Sequence, residues 1–337
     1  MDDWFIILGI LFYFLFIMYA ANHVDLGVWP AGTVRLFLYS LSAFLFLIGP
    51  FGMQAITISL QSGNEELRQM IDPLQVGLVS ILAIACATFT ANLIRAEEVR
   101  TWLAQRVKGY NPESTVHLTA VLLVLVVLCL NLFQFVLSGG LDGVAQALEE
   151  SNTVSFSSVF ETVLFVAAAF LGVGYAIRRT MPDTLQRLGL RLPIRQDVLS
   201  GAILGISLYL LSIVYTLIWA QLVDPQTFAE QTRAAQQLSN QMETIPLIIL
   251  VAGGAAVGEE VFMRGALQPV FGIWLTSAFF ALLHSQYLLT PTIIFIFVIG
   301  FAFGQIRWRI STTAAIFAHF VYNIAPFVLL IVLGGTP

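Results

Sequence analysis

About ten apolar runs, most of them without a charge and close to the length that crosses a bilayer, restrict the fold of this chain more than any other feature. A hydrocarbon core of about 30 Å takes about 20 helical residues, and inside it each backbone amide and carbonyl must be satisfied within the segment. The runs lie at 4–21, 36–60, 74–94, 116–138, 154–177, 198–223, 246–270, 272–288, 292–306 and 312–334. The expected fold class is therefore all-α, a polytopic bundle of about ten transmembrane helices. Composition narrows the function classes further. With 58% apolar and 10% charged residues among 337, a soluble globular enzyme and a disordered chain are both excluded. Fifteen Lys plus Arg against twenty Asp plus Glu leave no basic surface for nucleic acid.

Orientation follows from the cations, because cytoplasmic loops carry the excess of Lys and Arg. Arg95, Arg100, Arg106 and Lys108 follow the third run. Arg178, Arg179, Arg187, Arg191 and Arg195 follow the fifth, and Arg307 and Arg309 the ninth. These are alternate loops, and those between them are acidic (Glu65, Glu66 and Asp72; Asp142, Glu149 and Glu150; Asp224, Glu230 and Glu243). The alternation places both termini outside, with a bacterial cytoplasmic membrane as the expected location. Asp2 and Asp3 stand where a signal peptide would carry cations, so the first run is read as a retained helix. Gly49-Pro50 is expected to kink the second. Cys86 and Cys129 lie in apolar runs without a CxxC or Cys/His pattern, which suggests neither a disulfide framework nor a thiolate metal site. Residues 1–177 are read as accessory N-terminal helices and 178–337 as a C-terminal core. With short loops and no soluble catalytic domain, any chemistry must occur at membrane depth.

Ionisable residues in mid-span are costly and mark function. The seventh run carries Glu259, Glu260 and Arg264. Glu260 and Arg264 are four apart on one helical face and can pair, leaving Glu259 about 100° away and free. The eighth run places His284 near its end, and the tenth places His319 and Asn323 one turn apart. If the chain turns near Gly272, Glu259 and His284 lie roughly 18 to 20 Å from the turn on either side. His319 and Asn323, counted from Ser311, lie roughly 12 and 18 Å in. The residues therefore share one layer. Three GxxxG spacings, Gly201/Gly205, Gly254/Gly258 and Gly300/Gly304, are expected to pack helices closely. Asn92, Asn131 and Gln134 are expected as interhelical hydrogen-bond donors, and His23 and His117 as interfacial side chains. Trp102, Leu103 and Val107 among Arg100, Arg106 and Lys108 suggest an interfacial amphipathic segment. Glu161 stands isolated in the fifth run.

A buried Glu beside a His can hold a water and remove its proton, while His319 and Asn323 could donate to the oxyanion formed when water adds to a carbonyl. Glu259, His284 and His319 could instead ligate a divalent metal such as zinc with one open position, although HExxH spacing is absent. Ser285 adjoins His284, but adjacency in sequence does not make a nucleophile.

Glu259-Glu260-Val261-Phe262-Met263-Arg264 matches EExxxR, Phe280 to His284 matches FxxxH, and His319 to Asn323 matches HxxxN. In that order they resemble the three motifs of the CAAX-protease and bacteriocin-processing family of intramembrane endopeptidases, also called the abortive-infection family, and the type II CAAX prenyl endopeptidases in particular. Leu188-Gly189-Leu190-Arg191 is similar to the segment that precedes that family's core, and the likeness covers roughly residues 180–335. The resemblance implies a helical bundle around a catalytic cavity and hydrolysis of peptide bonds in membrane-associated or lipidated substrates. It implies that Glu259 is the catalytic glutamate, His284 its partner on the water, and His319 with Asn323 the oxyanion pair. Glu260, Arg264 and Phe280 would support them. The link from EExxxR to FxxxH is short and lacks basic residues, and the N-terminal spans are extra. Two other readings use the same residues: a proton-coupled transporter or permease, and a non-catalytic immunity or scaffold protein.

Overall fold

The computed structural model describes residues 2–150, 154–242 and 244–334; Glu243, counted above among the acidic loop residues, lies outside them. The described residues form helices and turns without a strand, so the chain is an all-α polytopic bundle. Among the described residues, seven helices are long and apolar enough to cross a membrane. The difference from about ten has two sources. Gly9–Asp25 and Val159–Gly172 are apolar but shorter, and Ile245–Leu282 counts once although its helix breaks at Gly272, the position read as a turn.

The chain divides into two compact units, Met1–Gly140 with Phe170–Thr184 and Val270–Gly272, and Leu141–Ala169 with Leu185–Pro269 and Ile273–Pro337. The division does not follow residues 177 and 178, because 141–169 go with the second unit.

In the first unit, α1 (Asp2–Asp25), α2 (Ala31–Gln61), the short α3 (Glu65–Met70), α4 (Pro73–Arg95), α5 (Glu97–Ala104) and α6 (Thr115–Leu137) surround a core of Ile17, Leu38, Leu41, Leu45, Leu122 and Val126. Helix α2 continues through Pro50, and Gly49 lets α4 approach, since a Cβ there would lie 2.5 Å from Ile84 Cδ1. Ser42 and Thr90 hydrogen-bond between α2 and α4 at 2.8 Å. Asn92 donates to Thr88 within its own helix, so it is not the interhelical donor expected. At the start of α6, Asp25 accepts from the Thr115 amide at 2.7 Å and from Ser114 Oγ at 2.6 Å, which satisfies orphan donors with a negative charge. His117 Nδ1 accepts from the Asn111 amide at the helix edge, and His23 packs beside Trp29. In the amphipathic segment Arg106 lies over the Trp102 ring at 4.1 Å.

The second unit holds most of α7 (Gly140–Glu150) and α8 (Val154–Gly172), the end of α9 (Met181–Leu188), then α10 (Arg195–Leu222), α11 (Pro225–Asn240) and α12 (Ile245–Glu260). A π-helical segment, Val261–Leu267, leads into α13 (Gln268–Leu282), followed by α14 (Thr292–Arg309) and α15 (Thr312–Val332). The three glycine pairs pack helices as expected. A Cβ on Gly205 would lie 2.5 Å from the Ala318 carbonyl, so α10 rests on the backbone of α15. Gly258 meets Thr162 of α8, and Gly300 leaves room for Phe280.

Gly272 has φ 77° and ψ 169°, a backbone conformation that suits glycine, and it breaks α13 near its start. Were α12 to α13 one straight rod, Glu259 and His284 would stand about 37 Å apart. They line one cavity, so the chain folds back between them.

Candidate active site

Glu259 is the penultimate residue of α12, and its side chain lines a cavity of about 240 Å³. Its Oε2 is buried and makes no hydrogen bond. The same cavity is lined by His284, His319 and Asn323, with Phe280, Tyr287 and Tyr322 among its walls. The depth arithmetic thus brings together the four residues from three helical stretches.

Glu260 faces away from that space. Its Oε2 accepts from Arg264 Nε at 3.1 Å, and its Oε1 lies 3.0 Å from His319 Nδ1. Glu260 and Arg264 are each 0% exposed and His319 is 5% exposed. One carboxylate therefore holds a cation on one side and a ring on the other, away from water, where such a pair is tolerated only when its geometry is good. The residues after Glu260 are π-helical, where a regular α-helix was read, and wider turns of this kind recur at functional sites.

Phe280 has two roles in this geometry. Its ring receives the Arg264 guanidinium at 5.2 Å from the centroid, which partly compensates Nη1 and Nη2, neither of which has a hydrogen-bond acceptor. Its carbonyl, near the end of α13, lies 2.8 Å from His284 Nδ1. A carbonyl only accepts, so Nδ1 carries the proton and a neutral His284 presents Nε2 as an acceptor. His319 is stacked on Phe303, with ring centroids 4.9 Å apart and planes 22° apart.

Sequence reading missed how the start of α15 is fixed. Asp197, 0% exposed in the first turn of α10, accepts from Arg191 Nε at 3.0 Å and Nη2 at 2.8 Å, and from Ser311 Oγ at 2.6 Å. Thr312 donates through its amide to the Gly189 carbonyl at 3.0 Å and through its hydroxyl to that of Leu188 at 2.6 Å. Gly189 has φ +70°, and a Cβ there would lie 2.9 Å from Thr312 Oγ1. The Leu188-Gly189-Leu190-Arg191 segment therefore clamps the helix that carries His319 and Asn323. The available signal was an acid in the first turn of an apolar run, six residues after Arg191.

The metal candidates Glu259, His284 and His319 line one cavity, but among the described residues no three His, Cys, Asp or Glu side chains gather closely enough to hold an ion. Nδ1 of each histidine is tied to an oxygen, which orients its Nε2. Ser285 opens a 3₁₀ turn and is not part of the cavity wall. Glu161 precedes Thr162, the residue against which Gly258 packs, and no ion pair to it occurs among the described residues.

No solved structure matches the chain. An uncharacterized protein of Bacillus subtilis, YpbD, is 37% identical over 83 residues, which are 24% of this chain and 43% of that protein, so the match spans less than half of the relative's length. Residues 241–325 match the family described as type II CAAX prenyl endopeptidase Rce1-like, a stretch that contains all three motifs. This match over residues 241–325 supports the resemblance to the CAAX-protease and bacteriocin-processing family drawn from EExxxR, FxxxH and HxxxN.

Proposed function

We propose that the chain is an intramembrane endopeptidase that hydrolyses peptide bonds of membrane-associated or lipidated substrates with a water activated by Glu259 and His284. The observation that carries this reading is the buried, unbonded Oε2 of Glu259 on the same cavity wall as a histidine whose Nδ1 is tied back to Phe280. Such a pair offers two acceptors to one water. His284 Nε2 takes one hydrogen bond, Glu259 takes the other, and the oxygen lone pair is left for a carbonyl carbon.

Glu259 removes the proton as the C–O bond forms. The oxyanion is met by the Asn323 amide and by Nε2–H of His319, which donates there as an imidazolium because its Nδ1 proton is engaged with Glu260. The C–N bond then breaks, and Glu259 returns its proton to the leaving amine. With His319 charged, Arg264 and His319 balance Glu260 and Glu259, so the buried set is neutral before substrate arrives. This role makes Glu260 a positioning residue. The distribution of the loop cations supports a topology with both termini outside a bacterial cytoplasmic membrane.

The test is reconstitution of the full chain and Glu259→Gln in liposomes with prenylated and unprenylated peptides, read by mass spectrometry for new termini. Cleavage by the wild type, lost in Glu259→Gln and insensitive to chelator, is expected. Proton-driven flux abolished by Glu259→Gln, with no peptide cut, would replace this reading by the transporter.

A further inference from the structure

Pro269 sits two residues beyond the π-helical segment, and it has no amide proton to give. In the π pattern the Gln268 amide donates five residues back, to the Met263 carbonyl. The next bond would run from residue 269 to the carbonyl of Arg264, and in an α pattern from residue 269 to that of Gly265. Proline removes the donor in both patterns. Buried carbonyls left without a donor are costly, and at membrane depth water does not relieve them.

Each of these two carbonyls is met by a guanidinium from elsewhere in the chain. Arg307 Nε, in the last turn of α14, donates to the Arg264 carbonyl at 3.1 Å. Arg187 Nη1, in α9, donates to the Gly265 carbonyl at 3.0 Å. The surroundings leave space for this. Gly265 packs against Leu188, its Cβ position 3.0 Å from the Leu188 carbonyl, and a Cβ on Gly189 would lie 3.1 Å from Arg307 Cζ. Neither arginine belongs to the three motifs.

We propose that Arg187 and Arg307 are positioning residues of the site, standing in for the amide that Pro269 lacks and so holding the π turn that places Arg264 against Glu260 and Phe280. The consequence for chemistry is indirect and specific. Arg264 fixes one oxygen of Glu260, the other oxygen fixes His319, and His319 faces the cavity with Glu259. The link to catalysis rests on the peptidase reading; the link to the π turn does not.

The experiment is a double-mutant cycle on the full chain in detergent or liposomes. Arg307→Ala and Arg187→Ala are made alone and in a Pro269→Ala background, because alanine restores a backbone donor. Hydrogen exchange of residues 261–268 is the first readout. Arg307→Ala is expected to speed exchange there by roughly ten- to hundredfold, the size of a lost hydrogen bond to a charged donor. The effect should shrink severalfold when Pro269→Ala is present. Turnover of a cleaved peptide is the second readout, with kcat falling about tenfold or more in Arg307→Ala, KM within about twofold, and kcat partly restored in the double variant. Should Arg307→Ala not fold, Arg187→Ala and Arg307→Lys, which keeps one cationic donor, complete the cycle. Equal losses with and without Pro269→Ala would overturn the proposal. If no peptide is cut by the wild type, the exchange cycle still decides the structural claim, so failure of the peptidase reading is seen separately.

Discussion

Glu260→Gln tests how far the buried ion set governs the stability of the second unit. The substitution keeps shape and removes one negative charge, and the structure shows what is then left behind. Arg264 remains 0% exposed, its Nη1 and Nη2 already lack hydrogen-bond acceptors, and its charge is then faced only by a neutral amide and the ring of Phe280 at 5.2 Å. Removing one member of a buried pair typically costs about 3–5 kcal/mol, most of it the uncompensated charge. A cation–π contact of about 0.5–2 kcal/mol exists before and after the change and does not offset it. Glu260→Gln is therefore expected to be destabilised by about 3 kcal/mol or more. Adding Arg264→Met, which deletes the stranded cation while keeping much of its volume, should recover about 1–2 kcal/mol of that loss. The assay is reversible unfolding in mixed detergent micelles followed by circular dichroism, with midpoints compared at equal slope. A Glu260→Gln protein within about 1 kcal/mol of wild type would refute the reasoning, as would a double variant no more stable than the single.

Other outcomes follow from the same geometry. On the peptidase reading, Asn323→Ala removes one proposed donor to the oxyanion and should lower kcat about 10²–10³-fold while KM for a cleaved peptide changes little, as measured by steady-state kinetics. Gly205→Ala sets a methyl 2.5 Å from the Ala318 carbonyl, so α10 must move off α15, at about 1–3 kcal/mol in the same unfolding assay. Gly272→Ala forces a side chain into φ 77°, ψ 169°, and should cost about 1–3 kcal/mol; a change below about 0.5 kcal/mol would mean that the break is not strained. Glu149→Ala breaks the exposed pair with Arg233, 2.9 Å apart, and is expected to cost less than about 1 kcal/mol.

Sequence by itself determined the solvent of this protein and most of its candidate site. The length of each apolar run has no soluble explanation, because a helix hydrophobic all round must be buried in lipid or protein. Glu259, His284, His319 and Asn323 were legible because ionisable and amide groups are rare at that depth, and residue counts along a helix convert directly into height. The Glu260 and Arg264 pair was legible from spacing alone, being separated by one helical turn.

What only the tertiary structure decided is which polar groups answer one another across long gaps in sequence. Spacing paired Glu260 with Arg264 and left Glu259 free, but it could not show that the other oxygen of Glu260 meets His319. Nor could it show that Asp197 fastens Ser311 or that Arg187 and Arg307 meet the carbonyls Pro269 leaves open. Periodicity records which face of a helix is apolar, whereas these pairings depend on which faces of different helices meet. That meeting is set by backbone approach at the glycines and by the break at Gly272, and it fixes the site only once the whole second unit has packed.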